Sequence, residues 1–198
     1  FGLPAALDRD WAADLAHALA LSPEHLSLYG LTVEAHTPLG QWTGRGEVTP
    51  VGDDRYAEEF LLAHSALREH GYEHYEVSNG ARPGHRARHN SAYWRRAPFI
   101  GLGPSAHSGF GSERRWNVRE WAAYERLVAR GESPLEGREL LDPDAVALEE
   151  LYLGLRTSEG LAGDRVPTAV AAEWVDAGWA QTGSGRLRLT PEGWLRLD

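Results

Sequence analysis

The 198-residue sequence predicts an α/β fold with parallel strands, followed by a mainly helical C-terminal domain. Two observations predict this fold class. First, an apolar run and an alternating segment flank a long helical stripe, and this βαβ order joins parallel strands. Second, apolar residues recur at helical spacing in most of the chain beyond residue 112. We therefore expect one domain at 1–112 and a second at 113–198.

The first domain should contain a helix, a strand, a second helix and a second strand. Residues 10–20 place apolar side chains at helical spacing. Residues 26–33 are largely apolar with few charges, as expected of a buried parallel strand. A helix capped by the aspartates at 53 and 54 should end near Gly71, which suits a left-handed cap. Residues 72–78 then alternate between apolar and polar side chains, which is the period of a strand.

Two stretches of this domain lack regular periodicity. Residues 38–52 and 80–111 are rich in Gly and Pro, and we expect both to be loops. The second stretch also accumulates His and aromatic residues. Because binding residues concentrate on loops, it is the expected functional region.

The second domain should consist of helices that begin near residues 118 and 142, and of a third that ends at Gly178. Residues 181–189, with Gly-Ser-Gly at their centre, resemble a β-hairpin. Helices followed by a hairpin predict a winged-helix-like end. Residues 142–198 carry ten acidic residues and five arginines, so this end should not bind DNA despite that shape.

Composition excludes several classes of protein. The net charge of −9 argues against a nucleic-acid partner, which normally requires a basic face. The absence of cysteine excludes disulfides, thiolate catalysis and thiolate-bound metal in this chain. No apolar run reaches 18 residues and no secretory signal is present, so we expect a cytoplasmic location. Since the sequence has no methionine and both ends resemble interrupted elements, we expect it to be a fragment.

A basic stretch stands out between residues 80 and 112, where five arginines and no acidic residue occur. It also contains Tyr93, Trp94 and Phe99. Arginine pairs with carboxylates and stacks on π-faces, and imidazole ligates iron, so the stretch suits a flat ligand with carboxylates, such as a porphyrin. The alternative is a solvated loop whose arginines pair with carboxylates elsewhere in the chain. His85 and His89 are four residues apart, but the Pro-Gly before them makes a zinc site improbable.

A second cluster, Gly-Leu-Gly-Pro-Ser-Ala-His-Ser, occupies residues 101–108. Its glycines allow close backbone approach to a ligand, and its serines and His107 offer polar contacts. The alternative is a tight turn packed under a helix. Glu76 and Ser78 form a polar strand face, and such side chains often point into the site of a parallel barrel.

Four segments in the same order resemble one family, the radical S-adenosylmethionine heme chaperones of the HemW type. They are relatives of oxygen-independent coproporphyrinogen III oxidase. The segments are Leu-Ser-Leu-Tyr-Gly-Leu-Thr-Val-Glu at 26–34, Gly-Tyr-Glu-His-Tyr-Glu-Val-Ser-Asn at 71–79, Arg-His-Asn-Ser-Ala-Tyr-Trp at 88–94 and the Gly-rich cluster at 101–108. The resemblance covers roughly residues 1–160 and corresponds to the C-terminal part of such proteins only.

The resemblance implies a partial (β/α) barrel, a [4Fe–4S] cluster, S-adenosylmethionine and heme. Heme would be bound through a His-Asn-x-x-Tyr motif, here His89, Asn90 and Tyr93, with His89 on the iron. Thr32 and His107 would contact S-adenosylmethionine. The family's cysteine motif is absent from this sequence. We therefore assign no catalytic residue and expect this chain alone to be inactive.

The function implied by the resemblance is to bind heme and deliver it to acceptor hemoproteins, including respiratory ones. A peripheral membrane association through a partner would fit that role. The alternative is an oxygen-independent coproporphyrinogen III oxidase, a radical decarboxylase of porphyrin biosynthesis. The His-Asn-x-x-Tyr motif favours the chaperone, because an oxidase binds a porphyrinogen without iron. The sequence predicts neither the oligomeric state nor the identity of the heme acceptor.

Overall fold

The computed structural model describes residues 1–7 and 9–197. The chain divides into two units. Unit 1 comprises residues 1–87 and 156–198, and unit 2 comprises residues 88–155. The structural division therefore differs from the boundary predicted between residues 112 and 113, which lies inside unit 2. Strands and helices together make the fold mixed α/β, as the sequence predicts.

The N-terminal part of unit 1 contains three helices and three strands. They are α1 (Trp11–Ala20), β1 (His25–Ser27), α2 (Pro38–Gly44), α3 (Asp53–Glu69), β2 (Glu73–Glu76) and β3 (Asn79–Ala81), with a short 3-10 helix at Ala5–Leu7. The predicted helices at 10–20 and from residue 53 are confirmed, but Gly52 is the N-cap residue of α3, and the two aspartates lie in its first turn without capping it. Asp10 caps α1 by accepting from the Ala13 N–H, and Gly71 takes the left-handed conformation beyond α3.

The sheet of these strands corrects the predicted parallel pairing. Its order is β1-β3-β2, and both neighbouring pairs are antiparallel. Strands β1 and β2 run in the same direction, as the βαβ pattern predicts, but β3 lies between them. The physical reason is the tight turn at Val77 and Ser78, which reverses the chain directly after β2. Strand β3 therefore lies beside β2, and β1 forms its hydrogen bonds with β3.

Two further predictions for this part need correction. Only Leu26 and Ser27 of the expected strand at 26–33 belong to a strand, β1, and the rest of that run forms no strand. The expected loop at 38–52 contains α2. Thr37 caps this helix and Pro38 occupies its first turn, a local start signal that the loop assignment overlooked.

A small hydrophobic core joins the helices and strands of this part of unit 1. Leu19 of α1, Leu67 of α3 and Tyr72 are buried, and Leu26 and Leu28 pack against them. Leu67 is fully buried, so truncating it to alanine should cost about 2–5 kcal/mol. This core fixes the positions of β1 and β2 relative to α1 and α3.

The C-terminal part of unit 1 is a second, smaller α/β assembly. Its elements are β7 (Leu161–Ala162), α7 (Thr168–Asp176), β8 (Ala180–Gly183), β9 (Arg186–Leu189) and α8 (Pro191–Trp194), numbered after those of unit 2, with a 3-10 helix at Gly163–Arg165. The predicted hairpin is confirmed, and β9 pairs antiparallel with both β7 and β8. A winged-helix-like classification of this part stays a prediction.

Unit 2 is built from α4 (Arg88–Trp94), β4 (His107–Phe110), β5 (Glu113–Asn117), α5 (Trp121–Ala129), β6 (Leu135–Leu140) and α6 (Pro143–Leu155). Its sheet has the order β4-β5-β6 and is antiparallel. The predicted helices near 118 and 142 are confirmed as α5 and α6. The stretch at 80–111, expected to be a loop, contains the last two residues of β3 and all of α4 and β4. Within residues 1–7 and 9–197, no helix has the length and apolar composition that crossing a bilayer requires.

Candidate ligand-binding site

Three rings of unit 2 form a row that begins on helix α4. His89 and Tyr93 lie one turn apart, where helical residues share a face, and their ring centroids are 4.8 Å apart at 87°. Tyr93 in turn meets Phe99 edge to face at 4.7 Å and 76°. The His89 and Tyr93 side chains are exposed, and Asn90 beside them is half-buried. The structure thus brings together the three residues predicted to bind heme.

The sheet of unit 2 carries further rings, and two glycines make room for them. A Cβ on Gly109 of β4 would lie 2.6 Å from the Phe99 ring, and a Cβ on Gly137 of β6 would collide with the Trp116 ring. His107 is the cross-strand partner of Trp116, with centroids 6.0 Å apart and planes tilted by 31°. Flat rings therefore cover one face of this sheet.

A cleft of about 280 Å³ lies within unit 2, between the end of α4, the β4–β5 hairpin and α6. Tyr93, Phe99 and His107 are among the residues that line it. The cleft therefore unites Tyr93, which we predicted to bind heme, with His107, which we predicted to contact S-adenosylmethionine. Sequence spacing alone gave no signal for this proximity.

The positive charges of the cleft are compensated inside unit 2. Arg96 donates to Glu149 Oε2 at 2.6 Å, to Glu150 Oε1 at 3.4 Å and to the Gly111 carbonyl at 2.9 Å. Arg114 forms an ion pair with the other oxygen of Glu149. These carboxylates come from α6, far along the sequence from the basic stretch. The cleft is therefore less basic than the sequence of residues 80–112 suggests.

Arginines of the basic stretch that belong to unit 1 are also paired. Arg86 forms an ion pair with Glu73 at 2.9 Å and lies over the Tyr75 ring at 5.4 Å from its centroid. Arg82 lies over the Tyr72 ring at 4.8 Å. At these positions the structure agrees with the alternative in which the arginines pair with groups of the chain itself.

The Gly-rich motif is held by side chains of unit 2. The Gly101 N–H donates to Ser108 Oγ at 3.0 Å, and the Gly103 N–H donates to the Tyr124 hydroxyl at 3.1 Å. A Cβ on Gly101 would collide with the His107 carbonyl. These glycines therefore serve a tight turn, which is the alternative interpretation of the motif, and these two N–H groups are engaged within the protein.

Unit 1 contains a buried polar chain at the end of β2. The Glu76 carboxylate is fully buried and accepts from the Ser78 N–H at 3.1 Å and from the Asn79 amide. Asn79 Oδ1 accepts from the Ser27 hydroxyl at 2.6 Å. Burial raises the pKa of Glu76 above its usual value. The alternating pattern had indicated Glu76 and Ser78, but it gave no signal for the partnership with Ser27.

Thr32, the other residue predicted to contact S-adenosylmethionine, belongs to unit 1. It is exposed and lies in an irregular segment after β1. Its role stays a prediction. Among the described residues, no group of three or more His, Cys, Asp or Glu side chains is arranged to hold a metal ion.

Comparison with known proteins finds extended similarity to heme chaperones. The chain is 36% identical over 176 residues to the heme chaperone HemW of Synechocystis, which covers 87% of this chain and 42% of that protein. It is 36% identical over 201 residues to HemW of Mycobacterium tuberculosis, which covers 100% of this chain and 52% of that protein. The chain belongs to the HemW-type radical S-adenosylmethionine family. It spans about half the length of the curated HemW relatives that it matches.

A solved structure extends the comparison to the fold. The HemW-type chain matches Escherichia coli coproporphyrinogen III oxidase (HemN), a radical S-adenosylmethionine enzyme, with a TM-score of 0.64 and 17% identity. The match covers 100% of this chain and 51% of the oxidase. At this identity the likeness concerns the fold alone. No family model matches the chain.

Proposed function

We propose that this HemW-type chain binds heme through unit 2 and acts within a cytoplasmic protein that passes heme to acceptor proteins. The observation that carries the proposal is the exposed His89 imidazole, set edge-on to Tyr93 at the start of a row of rings. Relatives named as heme chaperones support the same function.

The side chains of unit 2 fit heme. Heme would supply an iron that binds an imidazole nitrogen, and His89 would provide that nitrogen, since this chain has neither Cys nor Met to compete. His89 has the required ring, and no described hydrogen bond engages it. Tyr93 and Phe99 offer flat apolar surface. The cleft volume of about 280 Å³ lies just below the range of ~300–1,000 Å³ typical of ligand pockets, so it suits part of a macrocycle.

The side chains of this chain do not fit an iron–sulfur cluster. Such clusters are held by cysteine thiolates, and the sequence contains no cysteine. No step of the proposed function therefore depends on a cluster bound to these residues.

Titration with ferric heme (hemin) tests the proposal. We expect His89→Ala to shift the Soret band and to weaken hemin affinity about tenfold or more, since even supporting residues of metal sites cost about 10–100-fold in affinity. The control is His36→Ala, which removes an exposed histidine of unit 1. A His89→Ala variant with the spectrum and affinity of the unaltered protein would refute His89 as the iron ligand.

A further inference from the structure

His107 lies on the same face of the unit 2 sheet as the Phe99 ring. Residues two apart on a strand point to one face, so the side chain of His107 and the missing Cβ of Gly109 lie on one side of β4. Phe99 packs over Gly109 on that side, and its backbone pairs with Gly109 through two hydrogen bonds of 3.0 Å. The position of His107 relative to the aromatic wall of the cleft is thus set by regular strand geometry.

The His107 imidazole is supported on one side and open on another. The Trp116 ring lies beside it, with the two ring centroids 6.0 Å apart, and Trp116 itself packs over Gly137. The His107 side chain is exposed and lines the cleft, and no described hydrogen bond engages its ring nitrogens. An imidazole held by an aromatic neighbour, with its nitrogens unengaged, is prepared to ligate a metal.

The charges around the cleft favour the centre of a macrocycle over its carboxylates. Arg96 and Arg114 both pair with Glu149, and Glu113 pairs with Arg115 at 2.8 Å. A ligand carboxylate would compete with Glu149 for these arginines. The rings of Tyr93 and Phe99 and the imidazole of His107 can contact an apolar macrocycle and its metal without breaking these ion pairs.

We propose that His107 is a second iron-ligating residue for heme bound in the cleft of unit 2, rather than a contact for S-adenosylmethionine. The inference rests on the proposed heme-binding function and adds a residue that lines the cleft together with Tyr93. It follows from one juxtaposition: Tyr93, the last residue of the His-Asn-x-x-Tyr motif, lines the same cleft as His107. Imidazole is an established ligand of heme iron, and the chain has no Cys or Met to compete with it.

The test compares hemin with metal-free protoporphyrin IX, in the unaltered protein and in His107→Ala. For hemin we expect a change from low-spin to high-spin electron paramagnetic resonance signals, a shifted Soret band and an affinity lower by about tenfold or more. For metal-free protoporphyrin, which lacks the iron, we expect nearly unchanged affinity. His107→Met should restore a low-spin signal with a thioether ligand. His36→Ala controls for the loss of an exposed histidine, and circular dichroism checks that each variant is folded.

The outcomes separate this inference from the proposed function. If His89→Ala alters hemin binding and His107→Ala leaves the spin state and affinity unchanged, His107 is not a ligand and only the inference fails. If His107→Ala weakens hemin and metal-free protoporphyrin equally, His107 contacts the macrocycle without ligating iron, and the inference also fails. If the unaltered protein binds no hemin, the proposed function itself fails.

Discussion

His64 and His74 meet through their Nδ1 atoms, which lie 2.9 Å apart between α3 and β2 of unit 1. His74 is 8% exposed, and its ring packs against Phe60 and edge-on against Trp194 of α8. Burial, with a smaller contribution from His64, lowers the pKa of His74 to about 4. Burial and nearby Arg68 also lower the pKa of His64. Both imidazoles are therefore neutral near pH 7.

This pair predicts that acid destabilises unit 1. The pKa of His74 is lower in the folded than in the unfolded chain, so the unfolded chain binds the proton first. The associated stability is present above pH 6.5 and is lost as the pH falls toward 4. A difference of about 2.5 pKa units corresponds to about 3 kcal/mol. Urea unfolding at pH 7, 5.5 and 4.5 measures this loss of stability.

The control for this pH dependence is His74→Phe, which keeps a ring beside Phe60 and Trp194 but cannot be protonated. The variant should be less stable at pH 7, because it loses the hydrogen bond to His64. Its stability should fall less between pH 7 and 4.5 than that of the unaltered protein. Equal pH slopes in the two proteins would show that His74 does not cause the acid sensitivity.

Truncation of Glu76 should destabilise unit 1 much more than amidation. Glu76→Ala leaves the buried Asn79 amide and the Ser78 N–H without their acceptor, which costs about 1–3 kcal/mol per group, and it opens a cavity. Glu76→Gln keeps the shape and one acceptor oxygen. Glu76→Gln opens no cavity and removes the acceptor of only one donor, so it should cost less than Glu76→Ala. Urea unfolding at pH 6 distinguishes the variants, and similar losses for both would contradict this account.

Local elements of the fold are well predicted from the sequence, whereas strand pairing is not. The start of α1 at Asp10 and the end of α3 near Gly71 follow from caps and from helical spacing, which are properties of adjacent residues. Strand β3 has only three residues, and its position depends on hydrogen bonds to β1, 52 to 56 residues away. Such pairing leaves no periodic signal in a strand of that length.

The candidate site shows the same division. His89 and Tyr93 share a helical face, so their proximity follows from their spacing. His107 shares the cleft with Tyr93 because Phe99 pairs with Gly109 and brings β4 to the end of α4. Arg96 likewise pairs with Glu149, which lies some fifty residues later in the sequence. These are tertiary contacts, and the sequence motifs that contain the residues had been assigned to different ligands.

Substitution of the glycines beneath the rings should disturb unit 2. Gly101→Ala places a methyl group against the His107 carbonyl, which is backbone and cannot rotate away. Gly109→Ala meets the Phe99 ring, which can shift at a smaller cost. Overpacking costs about 1–3 kcal/mol, so we expect Gly101→Ala at the upper end and Gly109→Ala below it. Gly44→Ala, which has open space around its Cβ, is the control. A thermal melt in which all three variants match the unaltered protein would contradict the packing described.

The last prediction concerns Arg96, which takes a positive φ of 52° and is 17% exposed at its side chain. Residues other than glycine rarely adopt this backbone conformation, because it is strained. The hydrogen bonds of the Arg96 side chain to Glu149 and to the Gly111 carbonyl offset that strain. Arg96→Ala should therefore cost about 2 kcal/mol, between the ~0–1 kcal/mol of an exposed pair and the ~3–5 kcal/mol of a buried one.

The matched control is Arg115→Ala, which removes a pair with Glu113 of similar length, 2.8 Å, whose arginine is 45% exposed. That variant should lose less stability than Arg96→Ala, because exposed ion pairs contribute little. Chemical denaturation in low and high salt measures both, and salt should reduce the effect of Arg115→Ala more, because exposed charges are screened more strongly than half-buried ones. Arg96→Lys should recover only part of the loss, since an ammonium cannot reach Glu149 and the carbonyl with a planar fork. Equal losses for Arg96→Ala and Arg115→Ala would mean that the contacts of Arg96 do not stabilise unit 2 more than an exposed ion pair does.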